Sequence, residues 1–281
     1  MKKLILFLAI VVLWALLPVN TLFAQGERAS KTNNLKIAFE FGINAMTGDL
    51  VKPEQIRENR SSGYYYFDGY DYGYFVESNS LYTMHFSVKP EYFIFNNRIG
   101  IASGIRFTRV SSKLVSDRDI FLWKISEDGL NTGYVRINDI SHQSYLIGVP
   151  VEIRIFPNNR ELPFQHYFKI GASFNYRIFY DNTINFASKT MEKYGDLLHS
   201  QLPENNMFSA FLFGAIGFKI GKFREGRMTP WGNLDFQLPY LLLTDNSFAF
   251  VGKSNFGVGF QLSLQIPIGK NVPIGSREID L

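Results

Sequence analysis

Residues Ile147 to Pro157 read IGVPVEIRIFP, an alternation strict enough to dictate an extended chain. Val149, Val151, Ile153 and Ile155 fall on one face, and Gly148, Pro150, Glu152 and Arg154 on the other, because strand side chains change sides at every residue. This segment, extended back to Ser144, is the fourth of eight. The others are Leu35 to Asn44, Leu81 to Ile94, Ile99 to Val110, Tyr167 to Phe179, Met207 to Ile220, Thr229 to Leu241 and Asn255 to Ile266. In the last, Phe256, Val258, Phe260, Leu262, Leu264 and Ile266 oppose Gly257, Gly259, Gln261, Ser263 and Gln265. Met207 to Ile220 is apolar on both faces, and Lys219 favours its odd positions for the polar side. Period-two segments repeated along the chain define an all-β protein.

A soluble sheet and a transmembrane barrel both alternate, with their faces inverted, and the connections distinguish them. Strands two and three, four and five, and six and seven are joined by short segments at Phe95 to Arg98, Pro157 to Phe164 and Gly221 to Gly226. Between these lie longer ones, Thr47 to Ser80, Ser111 to Gln143, Tyr180 to Asn206 and Leu242 to Ser254. Alternating short and long connections with an even strand number is the pattern of an outer-membrane barrel, with periplasmic turns at one end and extracellular loops at the other. The expected fold is an eight-stranded antiparallel transmembrane up-and-down β-barrel with long extracellular loops, spanning residues 35–268.

Glycine supports the inversion. Gly42, Gly100, Gly104, Gly148, Gly171, Gly257 and Gly259 all fall on the polar face, where a solvated strand would only be weakened by them. Eight strands enclose a space barely wide enough for side chains, so small residues there make room for long ones. The polar face is therefore expected inside. It carries Lys36, Lys89, Arg106, Arg154, Lys169, Arg177 and Lys219 with Glu40, Glu91, Glu152 and Asp235. A basic residue turned towards lipid near the midplane would cost about 2–4 kcal/mol. The expectation is a paired charge network that fills the lumen, and its alternative is a narrow ion path of slight anion preference.

The N-terminus has the form of an export signal: Lys2 and Lys3, an apolar run of 14 residues from Leu4 to Leu17, and a small residue, Ala24, at the cleavage position. That run is short of the about 20 residues a membrane helix needs. The expected organisation is a signal peptide at 1–24, a periplasmic segment at 25–34, the barrel, and a periplasmic tail at 269–281. Cysteine is absent, which excludes disulfides, thiolate metal sites, a thiol nucleophile and a cysteine-linked lipid anchor. The net charge of +4 falls to +2 without Lys2 and Lys3, and so small a balance implies no nucleic-acid partner.

Aromatic girdles should mark both membrane interfaces. Tyr92, Phe93, Phe95, Phe156, Phe168, Phe218 and Trp231 are assigned to the periplasmic one, and Tyr82, Phe107, Tyr145, Phe179, Phe208 and Tyr240 to the outer one. Pro90, Pro150 and Pro239 lie within strands, where each removes a ladder hydrogen bond, so bulges or local breaks are expected there. The loop GYYYFDGYDYGYF offers Tyr64, Tyr65, Tyr66, Tyr70, Tyr72 and Tyr74 as a rigid amphipathic contact surface, or as a stacked hairpin extension. Phe121 to Ile125 and Tyr134 to Ile140 suggest a further extracellular hairpin.

The run YLIGVPVEIRIFP followed by HYFKIGASFNYRI resembles the PorT-like outer-membrane β-barrel domain family of Bacteroidetes. Ile147, Val149, Pro150, Arg154 and Gly171 carry the resemblance, and Gly148 stands where the family has an acidic residue. It implies a barrel in the outer membrane, accessory to a secretion apparatus, and transfers no catalytic residue.

Asp139, Ser141, His142 and Ser144 gather at the top of the fourth strand, but proximity in sequence does not place a base against a nucleophile. His85, His166 and His199 have no ligand spacing. No catalytic, cofactor-binding or metal residue is expected. The expected function is a monomeric outer-membrane barrel with a filled lumen, in contact with lipid and, through its loops, with other envelope or secretion proteins. The alternatives are a small pore or transporter, and a rim hydrolase or acyltransferase.

Overall fold

The computed structural model describes residues 35–51, 53–57, 76–77, 80–94, 98–116, 120–126, 132–157, 164–202, 205–221, 230–245 and 247–268. The expected signal peptide, the segments 25–34 and 269–281, and the tyrosine-rich loop lie outside them.

Twelve strands form one antiparallel sheet: β1 (Leu35–Leu50), β2 (Ile56–Arg57), β3 (Val76–Glu77), β4 (Ser80–Ile94), β5 (Ile99–Ser103), β6 (Ile105–Ser116), β7 (Phe121–Ser126), β8 (Thr132–Ile155), β9 (Phe164–Phe186), β10 (Phe208–Ile220), β11 (Trp231–Leu242) and β12 (Val251–Pro267). A short 3-10 turn, Lys189–Tyr194, leads into α1 (Gly195–Gln201). Eight positions close into a ring, with β5 and β6 sharing one of them, and β1 pairs with β12 from Lys36↔Pro267 to Leu50↔Val251. Closure leaves no unpaired edge in the ring. The β4–β5, β8–β9 and β10–β11 connections lie at one end, here the turn end, and the longer ones at the other, the loop end.

The faces sort as the alternation requires. Ile105 is 64% exposed while its neighbour Arg106 is 1% exposed. Along β8, Ile147, Val149, Val151 and Ile153 are exposed, and Gly148, Pro150, Glu152 and Arg154 are buried. The odd positions of β10 point inward, as Lys219 indicated, and carry Phe211 and Phe213 with them. Inward glycines do make room: a Cβ on Gly171 would stand 2.6 Å from the Phe213 ring, and one on Gly217 would overlap the Tyr167 ring.

The prolines disturb the ladder in two places. Val88↔Ile105 and Glu91↔Ala102 place Pro90 opposite Ser103, while Arg106↔Gly148 and Ser103↔Val151 place Pro150 opposite Gly104. The third predicted strand therefore opens at Gly104, which faces Pro150 on one side and follows Ser103, which faces Pro90 on the other, and becomes β5 and β6 in one continuous register. Next to Pro239 the β10–β11 register shifts between Phe213 and Ala215, and the β11–β12 ladder starts only at Gln237↔Gly259.

Several strands run further than predicted. β8 has 24 residues and β9 has 23, about twice the length that crosses a bilayer. The hairpin predicted from Phe121 and Tyr134 forms, pairing Phe121↔Ile137 to Ser126↔Thr132, but its second arm is the upper part of β8 itself. At the loop end β2, the β7–β8 hairpin and α1 enclose a cap core that includes Ile56, Leu114, Trp123, Ile137 and Leu198, tied by a 2.7 Å hydrogen bond from Trp123 Nε1 to Gln201 Oε1.

Candidate functional site: the barrel interior and its mouth

Six of the seven predicted lumen bases and all four acids are buried inside the ring. Their arrangement follows from strand register. Glu40 of β1 and Glu152 of β8 face one another from opposite walls, and Lys89 and Arg106 each bridge both carboxylates. Arg106 Nη2 lies 2.7 Å from Glu40 and 2.9 Å from Glu152, and Lys89 Nζ lies 2.7 Å from Glu152 and also bonds Glu40. Ser87 donates a 3.0 Å hydrogen bond to Glu40. Lys169 bonds Asp235 and stands 3.9 Å from Glu40 and 3.8 Å from Glu152, and the Tyr167 hydroxyl donates to Asp235. Towards the turn end, Arg154 reaches Glu91 at 3.2 Å, and Gln265 donates to the same carboxylate. Four bases thus balance four acids, as burial demands, since an unpaired ion in this space costs several kcal/mol.

The other two inward lysines are held by rings. Lys36 Nζ sits 3.1 Å from the Trp231 ring centroid and 4.2 Å from that of Phe93, and Lys219 Nζ lies 4.3 Å above Trp231. Phe93, Phe156, Tyr167 and Trp231 form a buried cluster that closes the turn end of the barrel. This corrects the girdle assignment: Phe93, Phe156 and Trp231 are interior side chains. Their odd or even positions match those of the inward residues on their own strands, so parity alone was enough to place them. Tyr240 is also interior, and here parity misleads, because the irregularity at Pro239 sets Tyr240 and Leu242 opposite the inward Phe213 and Phe211. Of that girdle Tyr92, Phe168 and Phe218 remain on the outside at the turn end, joined by Phe164, while Phe95 lies outside the described residues; Phe107, Tyr145 and Phe179 form a row at the loop end with centroids 6.2 and 5.8 Å apart.

Arg177 is a second correction. It stands apart from the charge network, half-buried near the mouth, where Nη2 donates to the Asn205 carbonyl at 2.7 Å and the guanidinium lies 4.8 Å from the Tyr180 ring. It keeps the register of Lys169, opposite the inward Leu146, but stands eight residues further towards the mouth, just below the register shift between Tyr145 and Leu146.

Above the charges lies an apolar layer that includes Met46, Leu81, Val110, Leu146, Phe211, Phe213, Tyr240 and Phe248. The connection between β11 and β12 supplies Phe248. Rather than projecting outwards, it folds into the mouth, with Phe248, Ala249 and Phe250 buried and Phe250 in the left-handed region at φ 70°. Such a conformation is an outlier for a bulky residue and persists only where packing enforces it.

Just above this layer the structure assembles what sequence proximity left open. His142 Nε2 lies 2.8 Å from Ser144 Oγ, and His142 Nδ1 lies 2.6 Å from Asn182 Oδ1. Asn182 comes from β9, directly opposite His142 in the ladder, and no sequence spacing marks it. Asp139 and Ser141, on the other face, pair instead with Lys113 and Asn185 and with each other. Burial, with Arg177 nearby, lowers the pKa of His142 below the ordinary imidazole value, against the Asn182 hydrogen bond and Asp181. His85 is buried 3.5 Å from Glu40, His166 packs edge-on to Phe168, and His199 is exposed on α1.

No protein-family model matches this chain, and neither does any curated protein. Among solved structures it is similar to the outer membrane protein OprG from Pseudomonas aeruginosa, at 11% sequence identity over 82% of this chain and 92% of that one, with a TM-score of 0.30. The architecture rests on the molecule's own geometry: a closed eight-stranded antiparallel β-barrel, apolar outside and charged within.

Proposed function

We propose that this chain is a monomeric outer-membrane β-barrel of a Gram-negative envelope, sealed along its axis, whose working surface is the folded cap at its loop end. The observation that carries this reading is the ring of exposed apolar side chains. Phe39, Phe86, Ile105, Val151, Phe236 and Leu262, from six ring strands, all face outwards, bounded at the two ends by aromatic residues. Water would be a poor solvent for such a continuous belt, whereas hydrocarbon matches it, and ring closure satisfies the backbone that hydrocarbon cannot. The turn end then faces the periplasm and the loop end the exterior.

The interior favours an adaptor over a pore. An ion moving along the axis would have to displace the aromatic cluster at Trp231, the paired charges and then the apolar layer at Phe211, each at the cost of desolvation. The cap, by contrast, is packed, and a surface held by a core presents fixed contacts to a partner. That partner is another envelope protein, in the secretion-accessory role the PorT-like resemblance implies. Two measurements test the reading. Purified protein in planar bilayers should give no stable openings, and crosslinking on intact outer membranes should capture an envelope protein through residues of the cap. Sustained conductance altered by Glu152→Gln would replace this reading with a pore.

A further inference from the structure

We infer that Ser144, His142 and Asn182 form an acyl-ester hydrolase triad at the outer mouth of the barrel, covered by the inward-folded segment 247–250. The geometry is that of a serine nucleophile, a general base and its orienting group. Ser144 Oγ lies 2.8 Å from His142 Nε2, and His142 Nδ1 lies 2.6 Å from Asn182 Oδ1. All three stand on paired strands, with His142↔Asn182 and Ser144↔Tyr180 in register, so the backbone holds their spacing without help from a loop. With Nδ1–H donating to Asn182 Oδ1, Nε2 is left to accept the Ser144 proton.

A donor for the developing oxyanion stands beside them. Arg177 lies opposite Leu146, two ladder positions below Ser144, and its guanidinium rests 4.8 Å from the Tyr180 ring, which in turn lies 6.1 Å from the His142 imidazole. Its Nη2 is held by the Asn205 carbonyl, and its buried Nη1 has no hydrogen-bond partner among the described residues. Immediately below, Val110, Leu146, Phe211 and Phe248 supply an apolar bed. An anion-stabilising donor above an apolar bed suits an ester with a hydrocarbon acyl chain. On the membrane reading proposed above, on which the lipid character of the substrate rests, the site lies just above the outer aromatic row of Tyr145 and Phe179, next to the interface where amphipathic acyl lipids present their ester groups.

The chemistry balances with water as the only co-reactant. Ser144 Oγ bonds to the acyl carbonyl carbon and passes its proton to His142 Nε2, while the carbonyl electron pair moves onto oxygen. Collapse breaks the ester C–O bond, and the leaving alcohol takes the proton from Nε2. Water then attacks the acyl-serine by the same route, releasing a carboxylic acid and restoring Ser144.

Ser144 and His142 are fully buried, and the cover has an identifiable latch. Phe250 belongs to the apolar cluster of Ile140 and Leu114 and Phe248 to that of Leu146 and Val110, so this turn spans the height of the triad. Ser112, the ladder partner of His142, donates a 2.8 Å hydrogen bond to the Ala249 carbonyl. The left-handed Phe250 gives the turn a conformation that release of this latch would relax.

The experiment uses the full chain folded in detergent micelles, with folding verified by heat-modifiable gel migration, an alkyl fluorophosphonate as the covalent probe and p-nitrophenyl butyrate as the turnover probe. Mass mapping should find the phosphonyl group on Ser144. Ser144→Ala should abolish labelling, and His142→Ala should slow it by about a hundredfold or more. Asn182→Ala should slow it and Asn182→Asp restore it, a rescue that a merely structural role would not give. Ser112→Ala should raise both rates by loosening the cover, so labelling of Ser144 seen only in that variant still supports the triad. If folded wild type and folded Ser112→Ala both remain unlabelled at Ser144, or carry the probe only elsewhere, the inference is overturned. Solubility and full folding in plain buffer would instead overturn the membrane reading and leave the ester chemistry to be judged by the labelling.

Discussion

The ammonium of Lys89 on β4 lies 2.7 Å from the carboxylate of Glu152 on β8, although these two strands share no ladder. The contact crosses the interior and is possible only because the sheet has closed. Glu152→Gln would leave Lys89 and Arg106 short of a counter-charge in a space without water's screening, and should cost about 3–5 kcal/mol in urea unfolding from detergent. Glu40→Gln should couple strongly with it, because the same two bases bridge both acids. Additive costs for the pair would mean the network does not act as a unit.

The outward face predicts an asymmetry. Val151 sits within the exposed run Ile147–Ile153 of β8, and Val151→Arg should destabilise the lipid-inserted barrel by about 2–4 kcal/mol. In a water-soluble barrel the same change would be close to neutral. Folding titrations in bilayers of defined thickness read the difference.

Gly217 tests the packing of the interior. A Cβ there would overlap the Tyr167 ring and crowd Asp235, which Tyr167 and Lys169 both bond. Gly217→Ala should cost about 1–3 kcal/mol, whereas Gly232→Ala, where a Cβ meets nothing within 4 Å, should cost less than 1 kcal/mol. Equal effects at the two positions would argue against a filled lumen.

His142 lies above the outer aromatic row, beyond the membrane-spanning part of β8. Burial, with Arg177, lowers its pKa from the ordinary 6.5, while the Asn182 hydrogen bond and Asp181 oppose the shift. The unfolded chain therefore takes up a proton near pH 6.5 that the folded chain refuses, and stability falls as pH drops through that value. Urea midpoints at about pH 7.5 and about pH 5.5 should differ less in His142→Gln than in the wild type. An unchanged difference would assign the pH dependence to other groups.

Much of the barrel was legible because each strand reports its own geometry. Alternation placed Glu40, Lys89, Arg106, Glu152, Lys169 and Asp235 inside, and the same parity, followed to the strand ends, would have placed Phe93, Phe156, Tyr167 and Trp231 there as well. It fails where the ladder slips. Tyr240 turns inward beside Pro239, because one extra residue in a strand reverses the faces beyond it. Arg177 keeps its parity and misses the network through its height near the mouth, which alternation does not report. Asn182 gave no signal, since its meeting with His142 depends on which residues β8 and β9 bring opposite one another. The inward fold of Phe248 to Phe250 was equally hidden in what looked like an ordinary loop.

By itself the sequence determined the eight positions of the ring, the alternation of short and long connections, and which face of most ring strands is charged. These follow from a two-residue period that each strand carries in its own residues, up to the points where a bulge interrupts it. Which charge meets which, what stands beside His142, and that a loop stops the mouth were decided only by the tertiary structure. Ring closure and register set distances between residues far apart in the chain, and those distances are properties of the assembled sheet.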